Sequence, residues 1–147
     1  MAIVEQLNED LKSAMRSGDK TAVETIRGLK SMLRDKEIEK KKTLSEEEEI
    51  QVLSTAAKQR KESIESYEKG GRDDLVQQEQ AELKIIEQYL PEQMDTAEIE
   101  SLVDQVITEV GAESMRDLGR VMGAVMPRVR GKADGSEVQS IVKLKLG

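Results

Sequence analysis

Apolar residues recur along this chain every three or four positions, in stripes separated by glycines, prolines and charge runs. Ile3, Val4, Leu7, Leu11, Ala14 and Met15 lie on one face of a first predicted helix, which Gly18 ends. Thr21 with Glu24 has the spacing of a capping box and predicts the start of a second helix. Its stripe is Val23, Ile26, Leu29, Met32 and Leu33, thinning into a solvated DKEIEKKK end. Ser45 with Glu48 repeats the capping signal, and the carboxylates at residues 46–49 suit the positive end of a helix dipole. That third helix carries Ile50, Leu53, Ala57, Ile64 and Tyr67 as far as Gly70 and Gly71. Asp73 or Asp74 is expected to cap a fourth, with Leu75, Val76, Leu83, Ile86 and Leu90 on its inner face. Pro91 then pushes the chain out of helical geometry, so YLPEQM reads as a boundary.

Beyond it, Asp95 with Glu98 opens a helix with the strongest stripe of the sequence: Ile99, Leu102, Val103, Val106, Ile107 and Val110. Gly111 closes that helix. Ser114 with Asp117 opens a shorter one carrying Leu118, Met122, Val125 and Met126, which Pro127 is expected to terminate. Gly119 and Gly123 share a face of it, each costing about 1 kcal/mol against Ala, and this predicts a closely approaching neighbour. A last helix, capped by Asp134 or Ser136, packs through Val138, Ile141, Val142 and Leu146. The expected architecture is all-α: a bundle of four helices over residues 1–90 and a three-helix subdomain over residues 91–147.

Composition narrows the chemistry. The 147 residues include no His, Cys, Trp or Phe, so zinc sites built on imidazole or thiolate, Ser-His-Asp and Cys-His nucleophiles, disulfides and thiol redox chemistry are excluded. With Tyr67 and Tyr89 as the only aromatics, a base-stacking platform is excluded too, leaving electrostatic or shape-based contact as the route to RNA. No apolar run approaches the roughly 20 residues that span a bilayer, and MAIVEQLNED lacks the layout of a signal peptide. A soluble cytoplasmic protein without membrane contact is therefore expected. The carboxylates Glu37, Glu39, Asp73 and Asp74, and those at residues 46–49, sit on predicted exposed faces or helix starts and read as caps and solubilising charge. No catalytic residue, metal site or cofactor site is assigned.

The net charge of -7 is unevenly divided. Residues 91–113 hold seven carboxylates and no cation, whereas residues 114–147 carry a charge of +4. The basic side chains gather late, at Arg128, Arg130, Lys132, Lys143 and Lys145, around a glycine loop at a helix start where amides favour phosphate. The loop GKADG is not a Walker motif, because Met126 stands where its first glycine belongs and Ala133 follows Lys132. Its residues are explained by a tight turn at Gly131 and Gly135 and a cap at Asp134, with a ligand role as the open alternative. The candidate nucleic-acid-binding set is Arg128, Arg130, Gly131, Lys132, Gly135, Lys143 and Lys145. Arg27, Lys30 and Arg34 offer a second basic helix face.

YLPEQM together with GRVMGAVMPRVRGKADGSEV resembles the GatB/YqeY family across the whole chain, through Gly119, Gly123, Gly131, Lys132, Ala133, Asp134, Gly135 and Val138. In GatB, a subunit of the glutamine-dependent amidotransferase that acts on mischarged Glu-tRNA or Asp-tRNA, the similar segment is a helical tail contacting tRNA. A related module is fused to some glutaminyl-tRNA synthetases. The resemblance implies tRNA as partner, and explains a family label of carbon-nitrogen ligase activity with glutamine as amido-N-donor. It also allows a partner protein from translation or the amidotransferase. Neither the Ser-Ser-Lys nucleophile of the amidase subunit nor the metal- and nucleotide-binding cradle of GatB has an equivalent here, so autonomous catalysis is not expected. The alternative is a protein-protein interaction module in translation without direct RNA contact; a third reading is transamidation with a partner subunit.

Overall fold

The computed structural model describes residues 3–147. It contains seven α-helices and one 3-10 turn, with no strand among the described residues, so the fold is all-α. The chain forms two compact units, Met1–Pro91 and Glu92–Gly147.

In the first unit, α1 (Ile3–Ser17), α2 (Lys20–Lys40), α3 (Glu46–Lys69) and α4 (Asp73–Glu87) close on Leu7, Ile26, Leu29, Leu33, Leu53, Ala56 and Ile86. These positions follow the 3.6-residue period of the sequence, which is why one stripe per helix is enough to make a core. The start of α2 departs from expectation: Asp19, not Thr21, is the cap, its carboxylate accepting from the Ala22 N–H at 3.1 Å. Gly18 takes a φ of +73°, which leaves Asp19 extended and ready to cap two residues earlier than the Thr21 spacing implied. α2 also runs unbroken through the thinly patterned end to Lys40, although Ile38 is 68% exposed. At α4 neither Asp73 nor Asp74 is the cap. Arg72 occupies that position without a side-chain bond, and both aspartates fall in the first turn, where they complement the helix dipole instead.

Side-chain bonds tie these helices together. Ser45 and Glu48 form the expected capping box, and the Glu48 carboxylate also accepts from Lys40 Nζ, bridging the end of α2 to the start of α3. Lys40 first, and then the Ser45 N–H, hold this carboxyl at about 2. Its neighbour Glu49 is buried, and desolvation, reinforced by Glu37 and Glu46, raises its carboxyl above the ordinary value. Arg60 of α3 faces Glu79 at 3.5 Å and Glu82 at 3.7 Å on α4. The Tyr89 hydroxyl donates to the Asp10 carboxylate, anchoring the turn after α4 to α1.

The second unit comprises α5 (Thr96–Val110), a 3-10 turn (Met115–Asp117), α6 (Leu118–Val129) and α7 (Gly135–Leu146). Its core is aliphatic and mostly valine: Ile99, Val103, Val106, Val121, Val125, Val129, Val138, Ile141, Val142 and Leu146. Thr96 Oγ1 meets Glu137 Oε1 at 3.1 Å and Lys145 Nζ meets Asp104 at 3.0 Å. Both pairs are separated by the same number of residues, so α5 and α7 run parallel. The Asp95–Glu98 capping box and the Gly111 stop, at φ +67°, are as expected. Pro127 does not end its helix. It lies inside α6, where the missing N–H costs one bond, to the Gly123 carbonyl, and burial of Val125 and Val129 carries the helix past it. Nor do Gly119 and Gly123 meet a neighbour among the described residues: a Cβ at either would find nothing of them within 4 Å.

Two expectations follow for stability. Leu53→Ala, at a fully buried position, is expected to cost about 2–5 kcal/mol in urea unfolding, against under about 0.5 kcal/mol for Ile38→Ala. A pH series on the same assay should separate the two adjacent glutamates. Glu48, depressed in the fold, stabilises above its ordinary value of 4.5, and this is lost as pH falls toward about 2. Glu49, raised in the fold, has the opposite sign: stability is greatest below 4.5 and declines as pH rises through its elevated value. Glu49→Gln should therefore raise stability at pH 7 and Glu48→Gln lower it; the reverse order would contradict both assignments.

Candidate nucleic-acid interface

The late basic residues all lie in the second unit, but they are not equivalent there. Arg128 NH2 pairs with Glu109 at 2.8 Å, and this pairing, with a further bond from Gln105, holds the Glu109 carboxyl below its ordinary value. Lys145 pairs with Asp104. The acidic α5 thus supplies internal counter-charges to two of the five candidate cations. Arg130, at the end of α6, Lys132, in the loop, and Lys143, in the last turn of α7, are exposed and form no ion pair among the described residues. These three carry the uncompensated charge of the predicted set.

The two candidate glycines play structural parts. Gly131 adopts φ +77°, a left-handed conformation in which an L side chain is strained. Its carbonyl accepts from Gln93 Nε2 at 2.8 Å, and the next carbonyl, that of Lys132, accepts from the Met94 N–H at 2.9 Å. The YLPEQM segment therefore pins the loop from outside, a tie that helical periodicity could not reveal. Gly135 has an ordinary backbone and begins α7. A Cβ there would meet Met126 Cε at 3.4 Å, an ordinary packing contact. Asp134 caps α7, accepting from the Ser136 N–H at 3.1 Å. A carboxylate at this helix start disfavours a second anion beside it.

The candidate set leaves out two further cations of this unit, both exposed: Arg116 in the 3-10 turn and Arg120 in the first turn of α6. Arg120 touches Asp117 at 3.2 Å, while Arg116 makes no ion pair among the described residues. The Asp117 carboxyl is held low chiefly by the Glu113 N–H. On α2, Arg27 and Arg34 are exposed and Lys30 is half-buried. Among the described residues, no three Asp or Glu side chains gather into a group able to hold a metal.

The second unit is a small helical scaffold that displays cations from a glycine-turned loop and the helix before it. Over residues 4–146 the chain matches the family model described as Yqey-like protein, and it belongs to that family. It is also similar to proteins named "Altered inheritance of mitochondria protein 41, mitochondrial". The one from Pyrenophora tritici-repentis is 32% identical over 140 residues, covering 94% of this chain and 77% of that protein. Those from Lachancea thermotolerans and Kluyveromyces lactis are 40% and 35% identical, covering 73% and 82% of this chain and 59% and 70% of those proteins. No helix of the described residues is long and apolar enough to cross a membrane.

The glycines should respond oppositely to alanine. Gly131→Ala is expected to destabilise by about 1–2 kcal/mol, the cost of a left-handed L residue. Gly119→Ala and Gly123→Ala, which meet nothing, should each stabilise by up to about 1 kcal/mol through helix propensity. Thermal melts of the three variants check the sign.

Proposed function

We propose that this chain is a tRNA-binding accessory module related to the tRNA amidotransferase system, holding a structured RNA by its backbone while chemistry is performed elsewhere. The observation that carries the reading is the set of three cations without an ion pair among the described residues, Arg130, Lys132 and Lys143, left over in a unit whose α5 neutralises Arg128 and Lys145. The resemblance to the GatB tail supports tRNA as the RNA, and accounts for the carbon-nitrogen ligase label without requiring an active site in this chain. Selectivity would come from shape, since the two tyrosines cannot form a stacking platform. The relatives' names place those proteins in mitochondria, and a tRNA-handling role suits that compartment as well as the cytoplasm.

The net charge of -7 supports a second reading, a protein-interaction module in translation that does not touch RNA. The two part in a salt-dependent tRNA binding assay. Removing one phosphate-binding cation should lower the log-log salt slope by about 0.7–0.9, so Arg130→Glu, Lys132→Glu and Lys143→Glu should weaken binding stepwise. Arg128→Glu and Lys145→Glu should weaken it less, because those charges are already partly spent. Absence of tRNA binding by the wild type at low salt, with recovery of a translation protein in a pull-down, would replace the first reading by the second.

A further inference from the structure

We infer that the outer part of the α3–α4 hairpin, from Lys58 to Glu82, opens separately from the rest of the first unit, and that Arg60, Glu79 and Glu82 form the proton-sensitive clasp that sets how often it does; nothing in this depends on what the chain binds. Burial divides the hairpin. α3 gives Val52, Leu53, Ala56 and Ala57 to the core before this stretch, and α4 returns to it with Leu83 and Ile86 afterwards. Between them no residue belongs to that core, and Val76 is the one buried side chain; Ile64, Tyr67 and Leu75 are half-buried. The start of α4 lacks a side-chain cap as well. A helix pair with so few buried apolar contacts opens at a lower free energy than the core beside it.

Charge pairs the two helices in this stretch, and it does so incompletely. Arg60 Nε faces Glu79 Oε2 at 3.5 Å and Arg60 NH2 faces Glu82 Oε1 at 3.7 Å, with the three side chains only 24%, 19% and 18% exposed. Arg60 Nε and Glu79 Oε2 are enclosed, yet neither makes a hydrogen bond. One guanidinium therefore serves two carboxylates of α4 at once, and Glu24 of α2 adds a further negative charge nearby. Desolvation offsets much of the attraction in such a cluster, and the carboxylate in excess favours a proton. Burial raises the Glu82 carboxyl above its ordinary value; Arg60 lowers it, and Glu79 and Glu24 raise it further. Opening returns Glu82 to water and to its ordinary 4.5. Closure is thus most stable below 4.5 and weakens as pH rises through the elevated value. Glu49, raised likewise, stands earlier in α3 and outside this stretch.

Native-state hydrogen exchange on the full chain, corrected for the intrinsic pH dependence of amide exchange, tests both parts. At pH 7 the amides between Lys61 and Glu82 should be protected at least about a hundredfold less than those of Leu29 and Leu53. On going from pH 7 to about pH 5 their protection should rise about threefold to tenfold, as uptake of one proton allows. Glu82→Gln should bring that gain to pH 7 and flatten the pH response. Arg60→Met, which leaves both carboxylates without a cation, should lower hairpin protection at pH 7 by about tenfold or more. Equal protection of hairpin and core amides in the wild type would overturn the separate opening. A wild-type pH response in Glu82→Gln, or wild-type hairpin protection in Arg60→Met, would overturn the clasp. Should Arg60→Met fail to fold, Glu82→Gln, which removes the charge and keeps the shape, decides alone.

Discussion

Everything in this molecule depends on burying aliphatic side chains in narrow stripes. Without Cys, Phe or Trp the chain has no disulfide and almost no aromatic bulk, so Leu, Ile and Val must supply the apolar area. The three-helix unit shows how far this can go, with a core of valine, isoleucine and one leucine. β-branched side chains have few rotamers to lose on packing, which suits a small core, but they lower helix propensity slightly. The helices offset that with defined ends: capping boxes at Ser45, Asp95 and Ser114, and left-handed stops at Gly111 and at Lys41.

Electrostatics is arranged on top of this packing and follows from it. Once α5 and α7 run parallel and α6 packs on both, the carboxylates of α5 come to face cations from the two later helices. The acidic and basic halves of the C-terminal sequence are therefore partly complementary within one unit. What remains positive is a smaller set than the residue count suggests, and it extends from α6 through the loop to the end of α7. The chain's negative total describes the surface of this unit less well than this residue-by-residue balance.

Much of the fold could be read locally, because a capping box is a three-residue geometric statement and an apolar stripe is a helical period. Ser45 with Glu48 and Asp95 with Glu98 are bonded as their spacing implied. Thr21 with Glu24 has the same spacing and is not a cap. A left-handed Gly18 delivered Asp19 first, and spacing alone does not reveal which of two candidates the chain reaches in an extended conformation. Pro127 misled for a different reason. A proline near the end of a helix removes one bond, and the burial of Val129 beyond it outweighed that loss. The Gly119–Gly123 spacing predicts a close neighbour, and none lies within 4 Å of a Cβ at either position among the described residues.

The amino-acid sequence by itself determined the helices, most of the two cores and the family, because these rest on periodicity and on a continuous motif; Ala56, Val121 and Val129 joined the cores only in the fold. Only the tertiary structure decided which cations are paired with Asp104 and Glu109, and that Gln93 and Met94 hold the glycine loop. The reason is distance along the chain. Lys145 and Asp104 are brought together by a helix-to-helix register that no local pattern encodes, and a charge acquires its meaning only when its nearest opposite charge is known.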